Sequence, residues 1–138
     1  LFMGLPLGGW LTARVVPPSG AFNAMLRTTY ADPGRLSDEV LNRYYRLWLR
    51  PGNRQAGARV LRFIRNRGGF NPRLIRQVKQ PVLILWGKQD RWIPPAHTER
   101  FIQAMPQAEA ILYDDCGHMP MEELPRESAA DCRRFLLS

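Results

Sequence analysis

Two hydrophobic rhythms divide the chain near residues 70–80. Before that point apolar residues recur at helical spacing. Ala21 to Tyr30 can form a short helix that stops before the turn signal Asp32-Pro33-Gly34. Ser37 is placed to cap a second helix, with Asp38 and Glu39 in its first turn, where the helix dipole favours negative charge. Val40, Leu41, Tyr44, Leu47 and Trp48 give that helix one apolar face, and Pro51-Gly52 ends it. A third helix is expected from about Asn53 to Arg65, with Val60, Leu61, Phe63 and Ile64 apolar and Gly68-Gly69 and Asn71-Pro72 closing it.

After residue 80 the rhythm changes. Val82 to Trp86 is an unbroken apolar run between Pro81 and Gly87, the pattern of a strand buried on both faces. Pro94 and Pro95 suit the first positions of a helix, with Phe101, Ile102 and Met105 on its inner face. Ala110 to Tyr113 reads as a second strand. A last helix opens near Pro125, with Ala129, Cys132 and Phe135 spaced by three. A strand–helix–strand connection of this length returns the second strand parallel to the first. The fold class is therefore α/β: two parallel strands with flanking helices, preceded by a helical region. The domain reading is residues 1–75 for the helical region and 76–138 for the α/β part.

Charge sharpens the division. Residues 1–80 carry a balance of +11 and residues 81–138 a balance of −3. From Val40 to Gln80 there are eleven Arg or Lys and no carboxylate. Such a run suits a solvated helix face, pairing with acidic residues elsewhere, or an anionic ligand. The apolar stretch at Leu1–Leu7 is broken by Gly8, Gly9, Arg14 and Pro17-Pro18, too early for a membrane span of ~20 residues. No charged segment precedes it, so a signal peptide is not expected. Cys116 and Cys132 are the only cysteines, which suits reduced thiols and a cytoplasmic protein.

The chemistry lies in two loops. Asp90 follows Trp86 by four residues, and His118 follows Tyr113 by five. Parallel strands end at one edge of a sheet, and adjacent strands lie ~5 Å apart. The two side chains can therefore meet although 28 residues separate them. A carboxylate that accepts one ring N–H of an imidazole leaves the other nitrogen free to take and return a proton. Other acids fit less well. Asp114 and Asp115 are too near His118 along the chain. Glu122 and Glu123 are placed to cap the last helix, Glu99 belongs on a helix surface, and His97 reads as structural. Cys116, His118 and nearby acids lack a spaced second ligand pair, so no metal is expected.

The stretches Val82-Leu83-Ile84-Leu85-Trp86-Gly87-Lys88-Gln89-Asp90-Arg91-Trp92-Ile93-Pro94 and Cys116-Gly117-His118-Met119-Pro120-Met121-Glu122-Glu123-Leu124-Pro125 closely resemble the C-terminal end of α/β-fold hydrolases. The resemblance is to the branch of esterases, meta-cleavage-product hydrolases, epoxide hydrolases and haloalkane dehalogenases, and covers about residues 80–137. It implies that Asp90 is the triad acid after the seventh strand and His118 the histidine after the eighth. It also implies that residues from about 10 to 75 are a helical cap. The nucleophile is expected outside this chain, because Ser19, Ser37, Ser128 and Ser138 do not lie in a G-x-S-x-G elbow. The expected partners are a small-molecule substrate and the missing N-terminal half of the fold. No cofactor, membrane or nucleic-acid partner is expected, and the isolated chain should aggregate or need its other half. Alternatives outside catalysis are a basic binding module built on residues 40–80 and a scaffold that kept the fold without the nucleophile.

Overall fold

The computed structural model describes residues 18–67 and 72–138. The chain forms two compact units, one of residues 1–25 with 37–71, the other of residues 26–36 with 72–138. The expected closure at Gly68-Gly69 and Asn71 and the apolar start at Leu1–Leu7 lie outside the described residues.

The first unit is helical as its periodicity predicts. Helix α1 spans Ser19–Arg27, starting two residues before and ending three residues before the expected Ala21–Tyr30, with its last two residues in the second unit, and α2 spans Asp38–Leu49. Ser37 caps α2 by accepting the Val40 N–H at 3.3 Å. Leu41 is fully buried, and Phe22 of α1 packs on Tyr45 and Trp48 with ring centroids 5.5 and 5.8 Å apart. Tyr45 and Trp48 of α2 are thus packing groups of this unit. Helix α3, Asn53–Arg67, runs two residues past the expected end, and Val60, Phe63 and Ile64 remain at least half exposed.

The second unit holds a short helix α4 (Pro72–Ile75), strand β1 (Val82–Gly87), helix α5 (His97–Ala104), strand β2 (Ala108–Tyr113), and helices α6 (Pro120–Glu123) and α7 (Pro125–Leu137). The strands pair parallel, with Val82 opposite Ala108 and Gly87 opposite Tyr113. Three details differ from expectation. Val82 to Trp86 is half-buried, with β2 its only strand neighbour among the described residues. Pro94 and Pro95 precede α5 in a turn, where their carbonyls accept the N–H groups of His97 and Thr98. On α7 the buried residue is Ser128, with Asp131 and Phe135 half-buried, while Ala129 and Cys132 face solvent. Polar groups can line that face because Tyr113 OH donates to Asp131 at 2.7 Å.

The ends of the two strands interlock through glycine. A Cβ on Gly87 would collide with the backbone carbonyl oxygens of Cys116 and Gly117. A Cβ on Gly117 would lie 2.6 Å from both Ala31 N and Thr29 O. These obstacles are backbone and cannot rotate away. Gly87→Ala and Gly117→Ala should each lower unfolding stability by roughly 1–3 kcal/mol or more, the range for overpacking. Urea denaturation followed by circular dichroism measures this, and an unchanged midpoint would contradict the close approach.

Candidate active site

Asp90 sits in the turn leaving β1, where its backbone N–H donates to Gly87 O at 3.3 Å. Its Oδ1 accepts the N–H groups of Trp92 and Ile93 at 2.8 and 2.9 Å. This Asx-type arrangement is the local role open to any aspartate after a turn. The second oxygen does something the local turn does not require. His118 Nδ1 lies 2.8 Å from Asp90 Oδ2, so the two expected residues meet. Burial pushes the Asp90 carboxyl up, but the His118 hydrogen bond and the two backbone N–H donors outweigh it and hold it below the ordinary value. An ionised carboxylate only accepts, so Nδ1 carries the proton of this bond. Nε2 is left as the ring nitrogen able to take another.

The imidazole remains partly open. Its side chain is 29% exposed, whereas that of Asp90 is 2% exposed. A cavity of about 160 Å³ beside the pair is lined by Leu85, Trp86, Gly87, Ile93, Gly117 and Pro120. The indole of Trp92 stacks on His118 with centroids 5.7 Å apart and planes 28° from parallel.

The loop that carries His118 is tied down by a residue assigned differently from sequence. Glu123 does not cap α7. It is buried at the end of α6, with Oε1 accepting Gly117 N–H at 2.8 Å and Oε2 accepting Ala31 N–H at 2.7 Å. Nearby, His118 N–H donates to Thr29 O at 2.7 Å, and Tyr30 OH donates to Glu122 at 2.7 Å. The stretch 29–31 is therefore the floor on which the histidine loop rests. Nothing in local sequence announces this, since the partners lie some ninety residues away.

The remaining candidates stand apart from the pair. Asp114 forms an ion pair with Lys88, Glu99 is exposed, and His97 opens α5 half-buried. Among the described residues no group of three or more His, Cys, Asp or Glu side chains is arranged to hold a metal ion. No helix among them is long and apolar enough to cross a membrane.

A family model described as the alpha/beta hydrolase family matches residues 2–131. The chain belongs to the alpha/beta hydrolase family. It is 28% identical over 107 residues to the 2-hydroxy-6-oxo-6-(2'-aminophenyl)hexa-2,4-dienoic acid hydrolase of Metapseudomonas resinovorans, covering 76% of this chain and 37% of that protein. It is 36% identical over 63 residues to Lipase 3 of Moraxella sp. strain TA144, covering 46% of this chain and 20% of the lipase. Among solved structures, the meta-cleavage product hydrolase CumD of Pseudomonas fluorescens IP01 superposes with a TM-score of 0.74 at 18% identity, over 93% of this chain and 49% of that one. The latter likeness speaks to fold. This alpha/beta hydrolase chain spans less than half the length of each of these proteins.

Two measurements check the site. Asp90 has a lowered pKa in the folded state, so its contribution to stability is complete above the unfolded value of about 3.9 and disappears as pH falls through the folded value. The stability gap between wild type and Asp90→Asn should thus be constant near neutrality and close only below about pH 4. A gap that opened on acidification would contradict the assignment. Both cysteines are free; burial and the neighbouring Glu123 charge push the Cys116 thiol up to about 12, while Cys132 is exposed. A thiol reagent near neutral pH should label Cys132 in the native protein and Cys116 only after unfolding. Equal labelling of both in the native state would mean that the Glu123 pocket is open.

Proposed function

We propose that Asp90 and His118 are the acid and base of a hydrolase triad whose nucleophile lies on a part of the protein outside residues 1–138. The observation that carries this reading is the 2.8 Å contact between His118 Nδ1 and Asp90 Oδ2, made by loops leaving neighbouring parallel strands. Membership in the alpha/beta hydrolase family and similarity to a lipase and a dienoic acid hydrolase support it. In that family's chain order the acid and then the histidine follow the nucleophile.

The chemistry follows from the ring's two nitrogens. Nε2 takes the proton of a serine hydroxyl as its oxygen attacks the substrate's carbonyl carbon. The imidazolium that forms is stabilised by Asp90 and returns the proton to the leaving group. Nε2 then deprotonates a water that attacks the acyl-enzyme, and the serine is regenerated. An aspartate nucleophile would use the same pair to activate water against an ester intermediate. Serine is favoured, and the substrate class is a small ester or a related acyl compound. The helical region within residues 1–75 supplies a cap, and the chain alone is inactive.

In the full-length protein, His118→Ala should abolish hydrolysis of a p-nitrophenyl ester. Asp90→Asn is the finer test, because its Oδ1 can still hold the turn by accepting from Trp92 and Ile93. Its amide would face Nδ1 and favour the wrong tautomer, which should cost roughly 10³- to 10⁴-fold in kcat. Near-normal turnover in either variant would overturn the assignment.

A further inference from the structure

We infer that Trp92 is a positioning residue for His118, setting the plane of the imidazole while Asp90 sets its edge. The inference rests on the reading of His118 as the base. A single hydrogen bond at Nδ1 fixes one atom. The torsion that turns an imidazole about its Cβ–Cγ bond is broad and poorly restrained by itself. Rotation of the ring about the Asp90 contact would swing Nε2 off its line to the nucleophile. Proton transfer in near-attack geometry tolerates little such error.

Trp92 supplies the missing restraint. Its indole lies against the ring face at a centroid distance of 5.7 Å and an angle of 28°. It is 47% exposed, yet it is not a loose surface side chain. Its backbone N–H donates to Asp90 Oδ1 at 2.8 Å, so the carboxylate that holds the imidazole also holds the tryptophan backbone. Its indole N–H donates to Thr28 Oγ1 at 2.9 Å. The next residue, Thr29, accepts the His118 backbone N–H at 2.7 Å. The contacts close a circuit from Asp90 to Trp92, to Thr28-Thr29, to His118 and back to Asp90. An exposed indole held by backbone and ring alike is costly to keep for packing alone, because half of its apolar surface stays in water. A stacked aromatic face also favours the imidazolium that forms during turnover, as aromatic faces do for other cations.

The test uses the full-length protein with Trp92→Phe, Trp92→Leu and Thr28→Val. The ring protons of His118, assigned by comparison with a His118→Asn sample, should resonate upfield in wild type because the indole ring current shields them. Trp92→Leu should remove that displacement, Trp92→Phe should keep part of it, and Thr28→Val should reduce it by freeing the indole. Trp92→Leu should also lower kcat about tenfold with KM within about twofold, and Trp92→Phe should recover most of the loss. His118 resonances unmoved by Trp92→Leu would overturn the stacking role. Equal kcat losses in the Leu and Phe variants, or a change confined to KM, would overturn the positioning role. Intact turnover in His118→Ala would instead sink the identification of the base, and with it the catalytic meaning of the stack. If Trp92→Leu does not fold, Thr28→Val decides, since it leaves the indole in place and removes only its anchor; an unmoved His118 resonance there counts against the proposal.

Discussion

The second unit turns on a close approach of backbone to backbone. Gly87 at the end of β1 touches the Cys116–Gly117 peptide, and Gly117 in turn touches the backbone of residues 29–31. With any side chain at these two places the three segments would stand farther apart. The loop after β1 and the loop after β2 would then lose the separation that allows a carboxylate and an imidazole to share a proton. Two backbone hydrogen bonds reinforce the contact, from Lys88 N–H to Tyr113 O at 2.8 Å and from Gln89 N–H to Cys116 O at 2.9 Å. The catalytic geometry proposed here is therefore a consequence of backbone packing before it is a consequence of side-chain chemistry.

Two buried carboxylates sit within this packing, and they are satisfied in different ways. Asp90 divides its oxygens between its own turn and the ring of His118. Glu123 spends its oxygens on the backbone N–H groups of Gly117 in the adjoining loop and of the distant Ala31. Burying a carboxylate is costly unless donors surround it, and donors fixed in the backbone hold it in place. The first arrangement leaves one partner, the imidazole, free to change protonation state. In the second, Glu123 lies beside the Cys116 thiol, which burial and the Glu123 charge push up to about 12. Asp90 thus orients the imidazole through one oxygen, and Glu123 ties the loop that carries it to residue 31.

The pairing of Asp90 with His118 was legible in sequence because it depends on regularities that sequence displays. An apolar run bounded by Pro81 and Gly87 announces a strand, a helical spacing announces the crossover, and parallel strands place their following loops at one rim. The helices of the first unit were legible for the same reason, down to the Ser37 cap. The role of Glu123 was not, because its partners at residues 29–31 come from a segment whose association with the α/β part no periodicity reveals. The buried face of α7 was misread because it is polar: Ser128 and Asp131 turn inward, where Asp131 accepts from Tyr113, and an apolar pattern cannot mark such a face. Trp92 was visible only as part of a motif, since a ring contact with His118 exists only after the two loops have met.

The two-stranded parallel sheet formed by the described residues is a weak platform, since parallel strands are ordinarily buried among neighbours. The site loops nevertheless carry many of the long-range hydrogen bonds of their unit, from Asp90, His118, Trp92, Glu122 and Glu123. Cross-linking is thus concentrated at the rim where chemistry is proposed, while the body of the sheet has few partners. That distribution fits a rim built to hold fixed positions. The Asp90–His118 contact is braced from the side of residues 28–31. The geometry of the Asp90–His118 pair therefore rests on the rim and not on the strand edge opposite β2.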